Sequence, residues 1–233
     1  MTCHLPLTTP LLLTLLLPWL GAFAVLLLRS RPYAQMARAA LAVVLATGVA
    51  LAWAWLAQQH SPGTLVCVPQ KRIPALSWHF ALDGLALAYA ANLILVTLLA
   101  VWYAQGYLRH ARNPALCYAL LLLFAGSMLC ALLANDVFLF LVFWEVMLIV
   151  SAGLLLGWGD GNDVAVVTLR YFVYSQTGSL LLLGALAYLV SITGSTHPAE
   201  IAASVSLATP GALTAVAFAL LIVLGSASGG GPL

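Results

Sequence analysis

Residues 135–158 read NDVFLFLVFWEVMLIVSAGLLLGW. After Asp136 the run is apolar and carries one carboxylate, Glu145, near its middle. As a helix, this run places Glu145 about 14 Å from Asp136 along the helix axis. That depth is close to the midplane of a hydrocarbon core about 30 Å thick. A charged side chain there costs at least about 2.5 kcal/mol, and such residues usually mark functional sites. Glu145 is therefore the first candidate for a functional residue.

The composition of the chain is that of a membrane protein. Hydrophobic residues make up 64% of the 233 residues and charged residues 6%, and the mean hydropathy is +1.09. Soluble domains are about one-quarter charged, so this chain could not solvate its surface in water. The net charge of +2 gives no indication of a nucleic-acid partner or an acidic substrate.

The apolar runs predict an all-α, polytopic transmembrane helix bundle with six full spans and a partial seventh. The predicted full spans are residues 11–29, 39–56, 80–103, 115–133, 135–158 and 164–192. The seventh run, 212–224, would be about 20 Å long as a helix, which is too short to cross a membrane. It leads into GSASGGGPL, a composition typical of flexible linkers.

These features divide the sequence into three predicted segments. Residues 1–77 hold two spans and an outer loop, residues 78–224 hold the main helical module, and residues 225–233 form a tail of non-native character. We expect the chain to be cut off, or read out of frame, partway through a helix.

The basic residues predict the orientation. Six of the eight lie at the ends of the predicted spans beside the odd-numbered connections, whereas only Lys71 and Arg72 lie in an even-numbered one. Those six are Arg29, Arg31, Arg38, Arg109, Arg112 and Arg170. Because cytoplasmic loops are enriched in Lys and Arg, the N-terminus is predicted to lie outside.

The sixth run is the other polar one and contains LRYFVYSQTGSLLLL at residues 169–183. Helical spacing places Tyr171, Tyr174, Ser175 and Gly178 on one face, and Gln176 and Ser179 on a neighbouring face. Such residues either line a hydrated path or join helices by hydrogen bonds, and the sequence leaves both open. With Glu145, the candidates for proton translocation are Ser175, Gln176 and Ser179.

Asp83 and Arg170 are candidates for a structural or coupling role. Asp83 opens the third run, where a negative charge stabilises a helix N-terminus. Arg170 lies one turn into the sixth run, from which its long side chain can reach the interface. Neither lies on the run of Glu145, whose neighbours three and four residues away are all apolar. A cationic partner for Glu145 must therefore come from another helix.

The histidines and cysteines form no pattern for catalysis or metal binding. The five histidines lie in termini, in connections or just before the third run, and the four cysteines include no CxxC pair. Phosphate-binding glycine loops and dinucleotide fingerprints are absent from the sequence. We expect no cofactor in this chain and no bond-making chemistry. A disulfide between Cys3 and Cys67 is left open.

The Phe-Trp-Glu run at 135–158 resembles the fifth-helix signature of the proton-translocating antiporter-like subunits of respiratory complex I (the M and L type of NADH-quinone oxidoreductase subunit). WHFALDGLAL (78–87) and YAQGYL (103–108) are similar to the two ends of their third helix, and residues 169–183 to their sixth helix. The likeness covers most of 78–224, whereas 1–77 match in hydropathy alone. Subunits of Mrp-type sodium/proton antiporters and of membrane hydrogenases share the signature.

The resemblance implies a fourteen-helix fold with two inverted repeats, of which this chain is the N-terminal part. Glu145 matches the family's glutamate, but the lysine that couples to it from a discontinuous seventh helix has no match here. Ser179 stands where some relatives carry an acidic group. The implied partners are other membrane subunits, the lipid bilayer and protons, or Na⁺ in the Mrp case. The implied location is the inner membrane of a bacterium.

Three functions stay open at this point. The first is a translocase subunit of a proton-pumping NADH-quinone oxidoreductase, without redox chemistry of its own, that contributes a half-channel. The second is a subunit of an Mrp-type antiporter or of a membrane hydrogenase. The third is a truncated, non-functional fragment that forms a membrane bundle only.

Overall fold

The long apolar runs are expected to be helical because backbone polar groups inside a membrane have no water to bond and must pair within the segment. The computed structural model describes residues 5–59, 66–67, 79–110, 113–159 and 163–204, with the single positions Thr214 and Leu221. Apart from those two positions, the predicted seventh run lies outside the described residues, as do the tail at 225–233 and Cys3.

Within the described residues the structure has seven α-helices. They are α1 (Leu5–Leu27), α2 (Tyr33–Gln59), α3 (Gly84–Tyr107), α4 (Pro114–Leu133), α5 (Val137–Trp158), α6 (Val164–Thr193) and α7 (Pro198–Ser204). The first six are long and apolar enough to cross a membrane. Two short strands, β1 (Val66–Cys67) and β2 (His79–Phe80), pair antiparallel. The prediction of an all-α bundle with six full spans is confirmed.

Polar groups make hydrogen bonds at the starts of two of the helices that begin elsewhere than predicted. The third helix starts at Gly84 instead of residue 80, since Phe80 belongs to β2 and the Asp83 carboxylate accepts a hydrogen bond from the backbone N–H of Ala86 at 2.6 Å. The second starts at Tyr33 instead of residue 39. The Tyr33 hydroxyl lies 2.9 Å from the Gln105 carbonyl oxygen and 2.9 Å from the Tyr118 hydroxyl. Hydropathy marks the apolar part of a helix and misses such polar ends.

The chain forms two compact units, Met1–Ala134 and Asn135–Leu233. In the first unit α4 is the most buried of its four spans, and small residues let it approach α1 closely. A Cβ added at Gly126 of α4 would lie 2.9 Å from the indole nitrogen of Trp19. Close packing through glycine is a common device where membrane helices meet.

The second unit is built on α5, α6 and α7. An apolar cluster joins the three helices: its buried members are Val137, Leu141, Leu182, Leu189 and Ile201, with Phe140, Trp144, Leu186 and Val190 packed against them. The rings of Phe140 and Trp144 are 5.5 Å apart. Since the start of α5 meets the end of α6 in this cluster, α5 and α6 run antiparallel.

Candidate functional site

Glu145 lies half-buried on α5, where that helix faces α6. Its Oε2 accepts a hydrogen bond from Nε2 of Gln176 at 3.0 Å, and the Ser179 hydroxyl donates to its Oε1. Gln176 and Ser179 are neighbours on the surface of α6 because they are three residues apart. The structure thus brings three of the four predicted translocation residues into direct contact.

The fourth, Ser175, is buried one turn before Ser179. Within the described chain, the hydrogen bonds to the Glu145 carboxyl group come from Gln176 and Ser179, so Ser175 lies beside this contact and not in it. Arg170 is exposed on α6. Asp83 belongs to the first unit, where it caps α3.

The two partners of Glu145 can bond to either of its protonation states. A serine hydroxyl is both donor and acceptor, and a glutamine amide carries a donor NH₂ and an acceptor carbonyl. Both groups donate when the carboxyl group is charged, and either can turn to accept its O–H when it is protonated. An unpaired buried polar group would cost about 1–3 kcal/mol. The site can therefore gain or lose a proton without leaving such a group.

Both described partners of Glu145 are neutral. The described arginines are exposed: they are Arg29, Arg31, Arg38, Arg109 and Arg170. On α5 itself, the side chains one turn from Glu145 are Leu141, Val142, Leu148 and Ile149. Within the described residues, the carboxyl group is held by dipoles and not by an opposite charge.

Polar side chains continue from Glu145 toward the 159–164 end of the helix pair. On α6, Thr168, Tyr171, Ser175 and Ser179 follow one another at spacings of four and three, so they share a face. The Tyr171 hydroxyl lies 2.8 Å from Oγ of Ser151 on α5. We call these five residues the polar stripe.

The far end of the polar stripe holds an unpaired hydroxyl. Oγ1 of Thr168 is buried and has no hydrogen-bond partner among the described residues. Buried hydroxyls in proteins are almost always paired, and ordered water is a frequent partner. Thr168 therefore marks a position suited to a bound water molecule.

Toward the other end of the helix pair the same α6 face is apolar. Leu182, Leu186 and Leu189 continue the spacing of three and four beyond Ser179, and all three belong to the apolar cluster or pack against it. Water is not stable in a cavity lined only by such side chains. Glu145 therefore lies at the boundary between a polar and an apolar half of one helix–helix interface.

Sequence reasoning missed part of this arrangement. Thr168 lies one position before the polar segment that was quoted, although its spacing from Tyr171 could have revealed it. Ser151 stands in an apolar run with no sequence signal for its contact with α6. Side-chain roles in translocation stay predictions. The disulfide between Cys3 and Cys67 stays open, because Cys3 and the side chain of Cys67 lie outside the described residues.

The chain is similar to known membrane subunits in sequence. Residues 134–228 match the family model described as NADH:quinone oxidoreductase/Mrp antiporter, TM. The putative antiporter subunit mnhA2 of Staphylococcus saprophyticus is 33% identical over 131 residues, which are 55% of this chain and 16% of that protein. NADH-quinone oxidoreductase subunit M of Escherichia coli K12 is 31% identical over 121 residues, which are 50% of this chain and 23% of that protein.

The chain is also similar to solved structures. A chain of the Mrp complex from Dietzia sp. superimposes with a TM-score of 0.79 at 26% identity, over 93% of this chain and 23% of that chain. A chain of respiratory complex I from Thermus thermophilus shares the fold, with a TM-score of 0.73 at 21% identity over 92% of this chain and 43% of that chain. The chain thus spans less than half the length of each of these relatives.

Proposed function

We propose that this chain contributes a proton-translocation half-channel to a redox-linked membrane complex. The premise is its resemblance to antiporter-like membrane subunits of the complex I and Mrp type, which the comparisons confirm. Glu145 is the group that takes up and releases the proton. One observation carries the proposal: its carboxyl group lies at the boundary of the polar stripe and the apolar cluster, with two partners that fit both protonation states.

The boundary gives the half-channel its one-sided access. Hydroxyl groups and water in the polar stripe can pass a proton along hydrogen bonds as far as Glu145. Among the described residues, the side chains of the apolar cluster have one polar atom, the buried indole Nε1 of Trp144, which can donate a hydrogen bond but not accept one. A proton therefore reaches Glu145 from the 159–164 end and does not continue through the cluster.

The orientation proposed from the basic residues places that open end on the cytoplasmic side of a bacterial inner membrane. The half-channel then takes up protons from the cytoplasm. Arg170, near this end of α6, is exposed and suits a position at the interface.

Coupling needs a cation and other subunits. A cation brought near a carboxyl group favours its charged form, and withdrawal of the cation favours the protonated form. Since the described partners of Glu145 are neutral, the cation comes from another helix or another subunit. We propose NADH-quinone oxidoreductase as the complex, with the redox chemistry in its other subunits and protons as the transported ion. Complexes of several membrane subunits are also the source of the similar structures.

Cation/proton antiport of the Mrp type is the second candidate function. It is favoured by the Mrp complex match, which has a higher TM-score and identity than the complex I match. In that case the driving ion gradient replaces the electron donor, and Na⁺ would exchange for the proton that Glu145 carries.

Glu145→Gln tests the proposal in the full chain assembled in its complex, in inverted membrane vesicles. The substitution keeps the shape and the hydrogen bonds but cannot carry a proton. We expect NADH-driven acidification, followed with a fluorescent ΔpH probe, to fall at least about tenfold, because proton transfer by a positioned group contributes about 10²–10⁴-fold in enzymes. The amount of assembled complex should stay unchanged.

Asp163→Asn is the matched control, because Asp163 is an exposed carboxylate at the open end of the same helix pair. Normal acidification in Glu145→Gln would contradict the proposal. Acidification that needs a Na⁺ gradient and no electron donor, and is lost in Glu145→Gln, would identify the antiport alternative.

A further inference from the structure

Asp136, just before α5, is almost fully buried, with 1% of its surface exposed, and uses both carboxylate oxygens. Oδ1 accepts hydrogen bonds from the backbone N–H groups of Phe138 at 2.9 Å and Leu139 at 3.1 Å. These two bonds complete an ordinary N-terminal helix cap. Oδ2 is not needed for the cap, and it accepts a hydrogen bond from the Thr196 hydroxyl at 2.6 Å.

Thr196 bonds the first turn of α5 a second time through its backbone. Its carbonyl oxygen accepts a hydrogen bond from the N–H of Val137 at 3.0 Å. The three N–H groups of Val137, Phe138 and Leu139 are therefore all paired, one of them by the α6–α7 connection. Thr196 is thus bonded to the start of α5 through both its hydroxyl and its carbonyl group.

The connection that carries Thr196 is itself fixed. α6 ends at Thr193, and the residue after it, Gly194, has a φ of 70° in the left-handed region that favours glycine. On the other side of Thr196, Nδ1 of His197 lies 3.0 Å from the carbonyl oxygen of Asn135, and the backbone N–H of His197 donates to the Ser195 hydroxyl at 3.1 Å. We call residues 194–197, together with Asp136, the clamp.

We propose that Asp136 and Thr196 are positioning residues that set the axial register of α5 against α6, and so place Glu145 opposite Gln176 and Ser179. The inference rests on the proposed function of Glu145 and adds the part of the chain that holds it in place. A slip of one residue would move α5 by about 1.5 Å along its axis. Such a shift exceeds the distance range within which a hydrogen bond forms.

The packing between the clamp and Glu145 cannot fix the register by itself. The apolar cluster lies there, and apolar contacts are not directional. Beyond Glu145, the described hydrogen bond between α5 and α6 joins Ser151 to Tyr171, whose side chain is partly exposed. The clamp is the buried, multiply bonded contact between the α6–α7 connection and α5, so it determines the register at Glu145.

Thr196→Val is the sharpest test, made in the full chain within its complex. It removes the hydroxyl while keeping the side-chain shape, the backbone bond to Val137 and the Asp136 cap. We expect coupled proton movement to fall at least about fivefold, because a misplacement of about 1 Å near a reacting group can cost about 100-fold in rate. Thr196→Ser, which keeps the hydroxyl, should restore it. Thr177→Val is the matched control, since its hydroxyl bonds within α6 to the Val173 carbonyl.

A double-mutant cycle separates positioning from general destabilisation. If Thr196 acts through the contact at Glu145, Thr196→Val should add little to the loss caused by Ser179→Ala, whereas independent effects would multiply. Multiplying effects, normal proton movement in Thr196→Val, or loss of the assembled complex would each overturn the inference. Normal proton movement in Glu145→Gln would instead overturn the proposed function, so the two failures are distinguishable.

Discussion

The two halves of the α5–α6 interface have the same helical spacing and opposite chemistry. The polar stripe places hydroxyl groups on the α6 face before Glu145, and the apolar cluster places leucines on the same face after it. Both halves bury surface, so both can hold the helices together. The polar half offers hydroxyl groups that both donate and accept, whereas the apolar half has the indole N–H of Trp144, which can only donate. The difference gives Glu145 one accessible side.

Buried hydroxyls in the first unit show that polarity alone does not make a path. Thr14, Thr47 and Thr97 each donate to a carbonyl group four residues earlier in their own helix, at 2.8–2.9 Å. Such bonds satisfy the hydroxyl donor within the same helix. In the second unit, Ser179, Gln176 and Tyr171 instead reach across to α5. Hydrogen bonds to a side chain on the neighbouring helix distinguish the site from these three threonines.

The largest expected effect concerns the two partners of Glu145, which lie where the polar half meets the apolar half. Replacing both partners of Glu145, in Gln176→Leu with Ser179→Ala, removes the groups that bond the charged and the protonated carboxyl group. We expect coupled acidification of vesicles to fall at least about tenfold, while each single change costs less because the other partner still fits both states.

Ser191→Ala with Gln105→Leu is the control for this pair, since Ser191 bonds the Tyr188 carbonyl in its own helix and Gln105 belongs to the first unit. Single changes as harmful as the double change would show that each partner has a separate task. Unchanged acidification in the double variant would show that the carboxyl group works without them.

A polar group placed in the apolar half should let protons leak past Glu145 through the apolar cluster. Leu186→Ser continues the α6 face with a hydroxyl two turns beyond Ser179, where a water molecule could then find a partner. We expect the ΔpH of energised vesicles to decay severalfold faster after the donor is consumed, with the initial rate of acidification little changed. Leu183→Ser, at an exposed position on α6, is the control. An unchanged decay in Leu186→Ser would mean that the apolar cluster is not what closes the path.

The sequence predicts the spans well because lipid leaves a long apolar run no alternative to a helix. The helix ends are harder, since Tyr33 extends α2 by a hydrogen bond to residues more than 70 positions away. Glu145 is visible as a lone carboxylate in an apolar run. Its contacts with Gln176 and Ser179 are not, because they depend on the register of two helices, which no spacing rule within one helix determines.

The clamp was the least predictable feature of the second unit. Asp136 reads as a helix cap, but its partner Thr196 is 60 positions away in a polar connection. Their contact depends on where α6 ends, which Gly194 decides with its left-handed backbone. Local signals for a cap and for a helix end are both present in the sequence, yet neither indicates that the two meet.

The smallest expected effect concerns the unpaired hydroxyl of Thr168 at the open end of the polar stripe. Thr168→Val removes a buried hydroxyl that has no partner among the described residues and keeps the side-chain shape. If that hydroxyl holds a water molecule of the path, acidification should fall about twofold to threefold, because the water loses one of its hydrogen-bond partners.

Thr193→Val, which removes a hydroxyl bonded to the Leu189 carbonyl on the same helix, is the control for Thr168→Val. Normal acidification in Thr168→Val would mean that the proton path does not include Thr168 and begins at Tyr171 and Ser151. In that case protons would enter the path one turn closer to Glu145, and the contrast between the two halves would begin at the tyrosine.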